Sequence, residues 1–329
     1  MSRNIHIARA LVAALTLGSA SSAGAQVYEA VGTRAQGMGA FVAIADDATA
    51  AWWYPAGLAT GRLFSLVVER GKTDDPGQAP VLGPSRRDAS SGFSISFPSL
   101  ALSYYRLRVS EVSPETPGAG DALLRALAVS QYGMTVGQSL GSHLVIGTTL
   151  CLVKAGTATS TVIGATELLD RTADLSVGSE TKTDLDLGAL VALGAARFGV
   201  SVKHLRAPEF SAGGSQFTMK RQARAGVGLV KSLRGPVEAI TLAADADLTR
   251  TPTVNRDVRR AAGGLEIWLK GRRLGLRSGV STNTVGEQRT SGTAGISIGG
   301  PSKTALEAAI VYGRDHARNG LNIGISMTF

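Results

Sequence analysis

The chain has 329 residues, of which 44% are hydrophobic, 18% charged and only 5% aromatic, with a formal net charge of +9. A single cysteine, Cys151, excludes an intramolecular disulfide, and it reads as a small hydrophobe in an apolar strand. Lysine and arginine are scattered, without a basic helix or interleaved aromatics, so the positive charge does not point to nucleic acid as a partner.

The N-terminus carries Arg3 and Arg9, an apolar core over 10–17, and small residues ending in Ala23-Gly24-Ala25. This is the order of a secretory signal peptide, with cleavage expected after Ala25. The core is too short for a spanning helix, which needs about 20 apolar residues, and no longer apolar run follows. Residues 26–61 come next. They are rich in Ala and Gly and do not alternate, so they read as a segment that plugs a barrel from within. Asp46 or Asp47 is placed to cap a short helix from Thr49 to Trp53. Pro55 ends that helix at Tyr54, and Gly57 is placed for a left-handed C-terminal position. Gly32, Gly37 and Gly39 allow tight turns against a wall. Trp52 and Trp53 either line an apolar path or anchor the segment by packing. The Gly-x-Gly-x-x-Gly spacing of a dinucleotide site is absent from this stretch, and no cofactor is expected.

From residue 62 to 329, apolar and polar residues alternate between Gly, Pro, Asn and Asp punctuation, which is the pattern of β-strands. Fourteen segments stand out: 62–70, 92–97, 99–109, 126–139, 142–155, 183–193, 197–205, 216–231, 237–249, 257–270, 272–283, 288–299, 303–313 and 320–329. Their connections are mostly long at one end (71–91, 110–125, 156–182, 206–215) and tight at the other (98, 140–141, 194–196, 232–236, 271, 300–302). A transmembrane barrel sorts its loops in this way, with the tight turns periplasmic. The fold class is therefore all-β: a transmembrane antiparallel β-barrel of about fourteen strands, 62–329, with an N-terminal lumenal plug. About eight strands make a barrel that side chains can fill, so fourteen leave a lumen to be occupied.

The faces sort as well. Charge on the lipid face near mid-membrane costs about 2–4 kcal/mol for Arg or Lys, so charged positions are expected to look into the lumen. Arg106, Arg108, Asp184, Asp186, Arg197, Lys203, Lys220, Arg224, Asp245, Asp247, Arg260, Glu266, Arg273, Arg277 and Glu307 are assigned there, either to receive a carboxylate head group or to tie plug to wall by ion pairs. Val191, Leu265, Ile267, Ile323 and Ile325 are assigned to lipid. The last strand ends on Phe329, as the closing strand of an outer-membrane barrel does.

Residues 31–59 carry a recognisable text. Arg34-Ala35-Gln36-Gly37-Met38-Gly39-Ala40, then Val42-Ala43-Ile44-Ala45-Asp46-Asp47, then Trp52-Trp53-Tyr54-Pro55-Ala56-Gly57-Leu58, resembles the N-terminal hatch of the FadL-type outer-membrane transport superfamily and its PorV/PorQ-like relatives. Two positions depart: the signature's Asn before Pro is Tyr54, and one Gly of the pair after Met38 is missing. The resemblance implies a bacterial outer-membrane channel for passive transport of hydrophobic or amphipathic small molecules. It implies outer-membrane lipid and the barrel assembly machinery as partners, the latter reading Phe329. The PorV-like alternative implies a role in protein secretion by the type IX route, with a secreted protein as partner. A structural outer-membrane protein is the third reading. Catalysis is not expected: only His143, His204 and His316 follow the leader, and neither a nucleophile with an oriented base nor a metal-ligating spacing is visible.

Overall fold

The computed structural model describes residues 31–75, 85–114, 121–163, 167–212, 216–252, 257–269, 271–286, 289–300, 303–313 and 318–329. The leader 1–25, the first residues of the plug, 26–30, and His316 lie outside them.

Fourteen strands close into one antiparallel barrel. They are β1 (Ser65–Asp75), β2 (Ser85–Phe97), β3 (Leu100–Pro114), β4 (Asp121–Leu140), β5 (Leu144–Ile163), β6 (Glu180–Leu193), β7 (Ala196–Lys203), β8 (Gln222–Ser232), β9 (Val237–Asp247), β10 (Arg260–Leu269), β11 (Leu274–Asn283), β12 (Thr290–Gly299), β13 (Thr304–Gly313) and β14 (Asn319–Thr328). Each pairs with its sequence neighbours, and β14 returns to β1 with Ser65 opposite Thr328 and Asp74 opposite Asn319. Beyond the last strand pair, Phe64 and Phe329 exchange backbone hydrogen bonds at 3.3 and 2.9 Å. Their rings lie 5.8 Å apart, and Phe97 adds a third at 5.6 Å from Phe64. No helix of the described residues is long and apolar enough to cross a membrane, a criterion that strand-crossing proteins do not meet in any case.

All fourteen expected segments correspond to strands. The larger mismatches are ahead of β8, where the expected 216–231 becomes barrel strand only from Gln222, and at the loop end of β1–β5. There β4 and β5 each run 20 residues, well past the segments read from alternation, whereas β7 has 8. Many of the extra residues are Ser, Thr, Arg or Asp, whose polarity on both faces hides the two-residue period once a strand has left apolar surroundings.

Outward positions form an apolar belt. Leu102, Met134, Leu150, Leu242, Val280 and Ile323 are each about half exposed, while most of their inward neighbours are buried. Val191, Leu265, Ile267, Ile323 and Ile325 lie in this outward set, and Asp245, Glu266 and Arg277 are buried inward. Ile267 sits between Ile240 and Leu276 on the neighbouring strands. Ile267→Arg should therefore cost about 2–4 kcal/mol in lipid bilayers, and Leu248→Arg, at the loop end, about 0–1 kcal/mol. Equilibrium unfolding in lipid vesicles reads both; equal costs would contradict the assigned depth.

Arg106 and Arg108 correct the lumenal assignment. On β3, Ala101, Ser103, Tyr105, Leu107 and Val109 are buried inward, so the even positions between them face out. The cost of an outward charge applies only within the apolar band. At Arg106 the strand has already passed Leu102 and Tyr104 toward the loop end. Arg108 donates to the carbonyls of Thr172 and Leu175, at 3.2 and 2.6 Å. Both belong to a connection whose helix, Leu168–Asp174, lies against the outside of the barrel. Leu168, Leu169 and Leu175 there cover Val112, Ala122 and Leu124. Lys220 and Arg273 are likewise not on the lumenal wall. Lys220 is exposed ahead of β8, and Arg273 is exposed in the turn between β10 and β11.

Candidate functional site: a plugged lumen

Residues 31–61 fill the lumen as short helical turns: α1 (Thr33–Met38), a 3-10 turn at Val42–Ile44, α2 (Ala50–Trp53) and a second 3-10 helix at Pro55–Thr60. Small residues without alternation suit tight turns better than strand pairing. Gly32 and Gly39 bracket α1 with φ of 94° and 74°, a region that Cβ-bearing residues rarely enter. Nearly all of the segment is buried, with Met38, Phe41, Val42 and Tyr54 fully so.

Wall carboxylates hold it. Glu69, on β1, accepts the backbone N–H of Gly32 at 2.6 Å and of Thr33 at 2.7 Å, which satisfies donors that the start of α1 leaves open. Asp245, on β9, accepts the N–H groups of Phe41 and Val42 at 2.5 and 2.9 Å. Glu266, on β10, receives Arg34 in a two-pronged bond at 2.8 and 2.7 Å, and the third Arg34 nitrogen reaches Asp46 and Asp47 at 2.5 and 3.1 Å. Arg277, on β11, donates to the same Glu266 at 2.7 Å and lies 3.7 Å from Glu307. Burial alone would raise the Asp46 carboxyl; the Arg34 guanidinium outweighs it and holds the group below the usual carboxylate range. Charged groups in the lumen thus tie plug to wall. Arg224 pairs with Asp247 at 2.6 Å, and Arg260 donates its backbone N–H to Asp247 and its guanidinium to Ser281. Arg197 points inward on β7, near enough to Asp46 to act on its charge.

Glycines on the wall give the plug room. Gly264 and Gly279 face each other across β10 and β11, and a Cβ on either would stand 1.9 or 2.0 Å from the Met38 carbonyl oxygen. Gly147, on β5, would meet the Pro55 carbonyl carbon at 2.3 Å, and Gly188, beside it on β6, the Ala56 nitrogen at 3.1 Å. These glycines and Glu69 were not singled out from the sequence. Glycine in a strand can mark close backbone approach, and that was the available signal.

The lumenal face of β3–β5 is apolar toward the loop end. Tyr105, Leu107, Val109, Leu127, Val129, Val153 and Ala155 are buried there in one contiguous cluster with the plug. Phe210, Phe217 and Met219 complete that cluster from the connection between β7 and β8, where a two-residue ribbon stacks the two phenylalanines at 5.0 Å. Trp52 forms the floor beneath Tyr105, ring to ring at 5.3 Å, with the Lys203 ammonium 3.4 Å from its ring centroid. Trp53 serves as an anchor: its indole N–H donates to the Val31 carbonyl at 2.9 Å, and it packs against Phe41.

Asp184 and Asp186 are brought together with His204, which is buried in the connection just after β7. Each of the three offers a ligand atom within 4.8 Å of the others, an arrangement that sequence spacing did not reveal. His204 Nδ1 is 2.7 Å from Asp184, its backbone N–H donates to Asp186 at 2.9 Å, and Lys203 lies 3.8 Å from Asp186. The ammonium supplies the cation these carboxylates face.

Two local expectations change. α2 starts at Ala50, and Asp47 supports its approach by accepting the Thr49 N–H at 2.9 Å and hydroxyl at 2.5 Å, without sitting at the cap itself. Gly57 has no left-handed φ; it lies inside the second 3-10 helix, where a Cβ would stand 2.2 Å from the Ala45 carbonyl oxygen. Tyr54, which replaces the signature's Asn, is fully buried against Gly199, and its hydroxyl finds no partner among the described residues. Tyr54→Phe should therefore keep the plug seated and stabilise the protein by about 1 kcal/mol, since a buried unsatisfied hydroxyl costs about 1–3 kcal/mol. A fall in the thermal midpoint in detergent would show that the hydroxyl is satisfied.

A family model described as the F plasmid transfer operon TraF protein matches residues 87–247. No curated protein matches the sequence. Among solved structures the chain is similar to CymD, a monoaromatic hydrocarbon channel, with TM-score 0.63 and 12% identity over 93% of this chain and 99% of that one. It is similar to the Ralstonia pickettii toluene transporter TbuX, with TM-score 0.59 and 14% identity over 92% and 99%. It is also similar to a Pseudomonas aeruginosa FadL homologue, with TM-score 0.57 and 11% identity over 90% and 97%. At these identities the likeness is one of fold, and the fold is of the FadL type.

Proposed function

We propose that the protein is a bacterial outer-membrane channel through which hydrophobic or amphipathic small molecules move passively, with residues 31–61 as the restricting element. The observation that carries this reading is the apolar lumenal face of β3–β5 above the plug, from Tyr105 to Ala155, closed over by Phe210, Phe217 and Met219. Apolar solutes gain about 25 cal/mol per Å² on leaving water for such a surface. The described charged groups of the lumen are engaged with the plug or with one another on the wall, so selectivity falls to the apolar side. The fold shared with hydrocarbon channels supports the same substrate class, and the belt of outward apolar residues supports a membrane location. The family match over 87–247 falls on β2–β9 and includes none of the plug.

The second reading, a PorV/PorQ-like barrel in protein secretion, rests on the signature in residues 31–59, which that branch shares. The two differ in what crosses. In liposomes carrying the full chain, entry of toluene should exceed that of a sugar, and Leu127→Asn with Val129→Asn should cut toluene entry about tenfold, the effect of making a desolvated apolar path polar. Removing 26–61 should leave a barrel that assembles and conducts ions more strongly in a planar bilayer, because the strands are untouched. Toluene entry that ignores the Asn substitutions would sink the hydrocarbon reading. Conductance unchanged by the deletion would show that the segment is not the gate.

A further inference from the structure

The outward-facing cations are concentrated in one sector of the barrel. Arg70 on β1, Arg106 on β3 and Lys154 on β5 occupy one register row, linked through Ser91 and Ser130 on the strands between. All three are exposed and face out, and none is ion-paired among the described residues. With strands about 4.8 Å apart, the backbones of Arg70 and Lys154 each stand about 10 Å from that of Arg106 and about 20 Å from each other, a span that their long side chains shorten when they converge on Arg106. On β6–β14 the alternation turns a single Lys or Arg outward, Lys231, at the turn end.

The row directly below, two residues nearer the turn end, is Val68, Phe93, Tyr104, Tyr132 and Leu152. Its rings form a contiguous band, with centroids 6.1 Å apart from Phe93 to Tyr104 and 4.7 Å from Tyr104 to Tyr132. Aromatic side chains gather where the apolar core of a bilayer meets its polar surface. A row of unpaired cations immediately beyond such a band stands at the depth of lipid headgroups, and Arg recognises phosphate by paired N–H donors. In the row beyond, Lys72 and Arg108 add charge of the same sign; of the carboxylates on this side, Asp174 lies near Arg108 and Asp74 is engaged by Arg87 and Lys72.

We infer that the outward face of β1, β3 and β5 binds the phosphate headgroup of an anionic lipid in the leaflet at the loop end, with Arg70, Arg106 and Lys154 as its ligands and the aromatic band against its chains. This rests on the membrane reading of the apolar belt but not on what the lumen carries. The full chain in neutral detergent can be titrated with dioleoylphosphatidic acid and with dioleoylphosphatidylcholine, which has the same chains on a zwitterionic head, and bound lipid counted by native mass spectrometry. The wild type should prefer phosphatidic acid by about tenfold or more, and the triple variant Arg70→Gln, Arg106→Gln, Lys154→Gln should lose that preference, whereas Lys231→Gln keeps it. If the triple variant fails to assemble, Arg106→Lys should retain and Arg106→Gln weaken the preference. Equal preference in the triple variant and the wild type, or in the two Arg106 variants, would overturn the assignment. So would displacement of the lipid by millimolar inorganic phosphate, which would mark a site for the free ion. Toluene entry should be the same in wild type and triple variant, so the lipid site and the channel stand or fall separately.

Discussion

Replacing Glu266 with alanine is expected to unseat the plug while the barrel stays closed. Glu266 is buried and accepts three charge-assisted hydrogen bonds, two from Arg34 on the plug and one from Arg277 on the wall. Its removal leaves two guanidinium groups facing each other in a site built for a carboxylate between them. Breaking a buried ion pair from one side costs about 3–5 kcal/mol, because the remaining charge loses its compensation. The strands do not depend on this contact, since Glu266 stays paired to Thr241 and Arg277 through the backbone. The loss should therefore appear as plug release: higher ion conductance in a planar bilayer and faster proteolysis within residues 31–61. Glu266→Gln keeps an acceptor and the shape, and should fall between wild type and Glu266→Ala. If Glu266→Ala conducts and resists protease like the wild type, Arg34 is not the tether.

Gly264→Val should displace the plug by a different route. A Cβ at Gly264 would sit 1.9 Å from the Met38 carbonyl oxygen, and the obstacle is backbone, which has no rotamer to escape into. Overpacking of this kind costs about 1–3 kcal/mol or more. Valine is otherwise a good strand residue, so the wall itself gains. Gly263→Val is the matched control: it faces outward, and its Cβ would have the Ala243 carbonyl oxygen as its nearest neighbour, at 3.7 Å. Thermal midpoint and conductance should change for Gly264→Val and hardly for Gly263→Val. Two indistinguishable variants would show that Met38 is not pressed against this wall.

The strands were legible because lipid and lumen impose opposite demands on alternate residues. The stretch from Ala261 to Leu269 shows it, with Leu265 and Ile267 outward and Glu266 inward. Where that demand stops, the reading failed. Arg106 and Arg108 follow the same alternation as Leu102 and Tyr104, but beyond the apolar band outward charge has no cost, so the charge rule pointed the wrong way. The plug was legible from composition and from its signature, yet its anchors were not. Glu69 is one carboxylate in an ordinary alternating strand until α1 is placed against it. Gly264 and Gly279 look like neutral small residues until the Met38 carbonyl is found between them. The pairing of His204 with Asp184 joins the residue that follows β7 to β6, and nothing in their spacing along the chain announces it.

The unequal strands also cut the rim at a slant. β5 has twenty residues and β12 ten, and at about 3.3 Å per residue with a tilt near 40° the wall around β5 stands about 25 Å taller than the wall opposite. A solute spread on the membrane surface would meet a high parapet on one side and a low sill on the other. Entry from the surface would then have a compass bearing. On the channel reading proposed above, capture would run over the short strands β7–β14, and the taller wall of β1–β5 would serve as a backstop that turns arriving molecules down toward Tyr105 and Trp52.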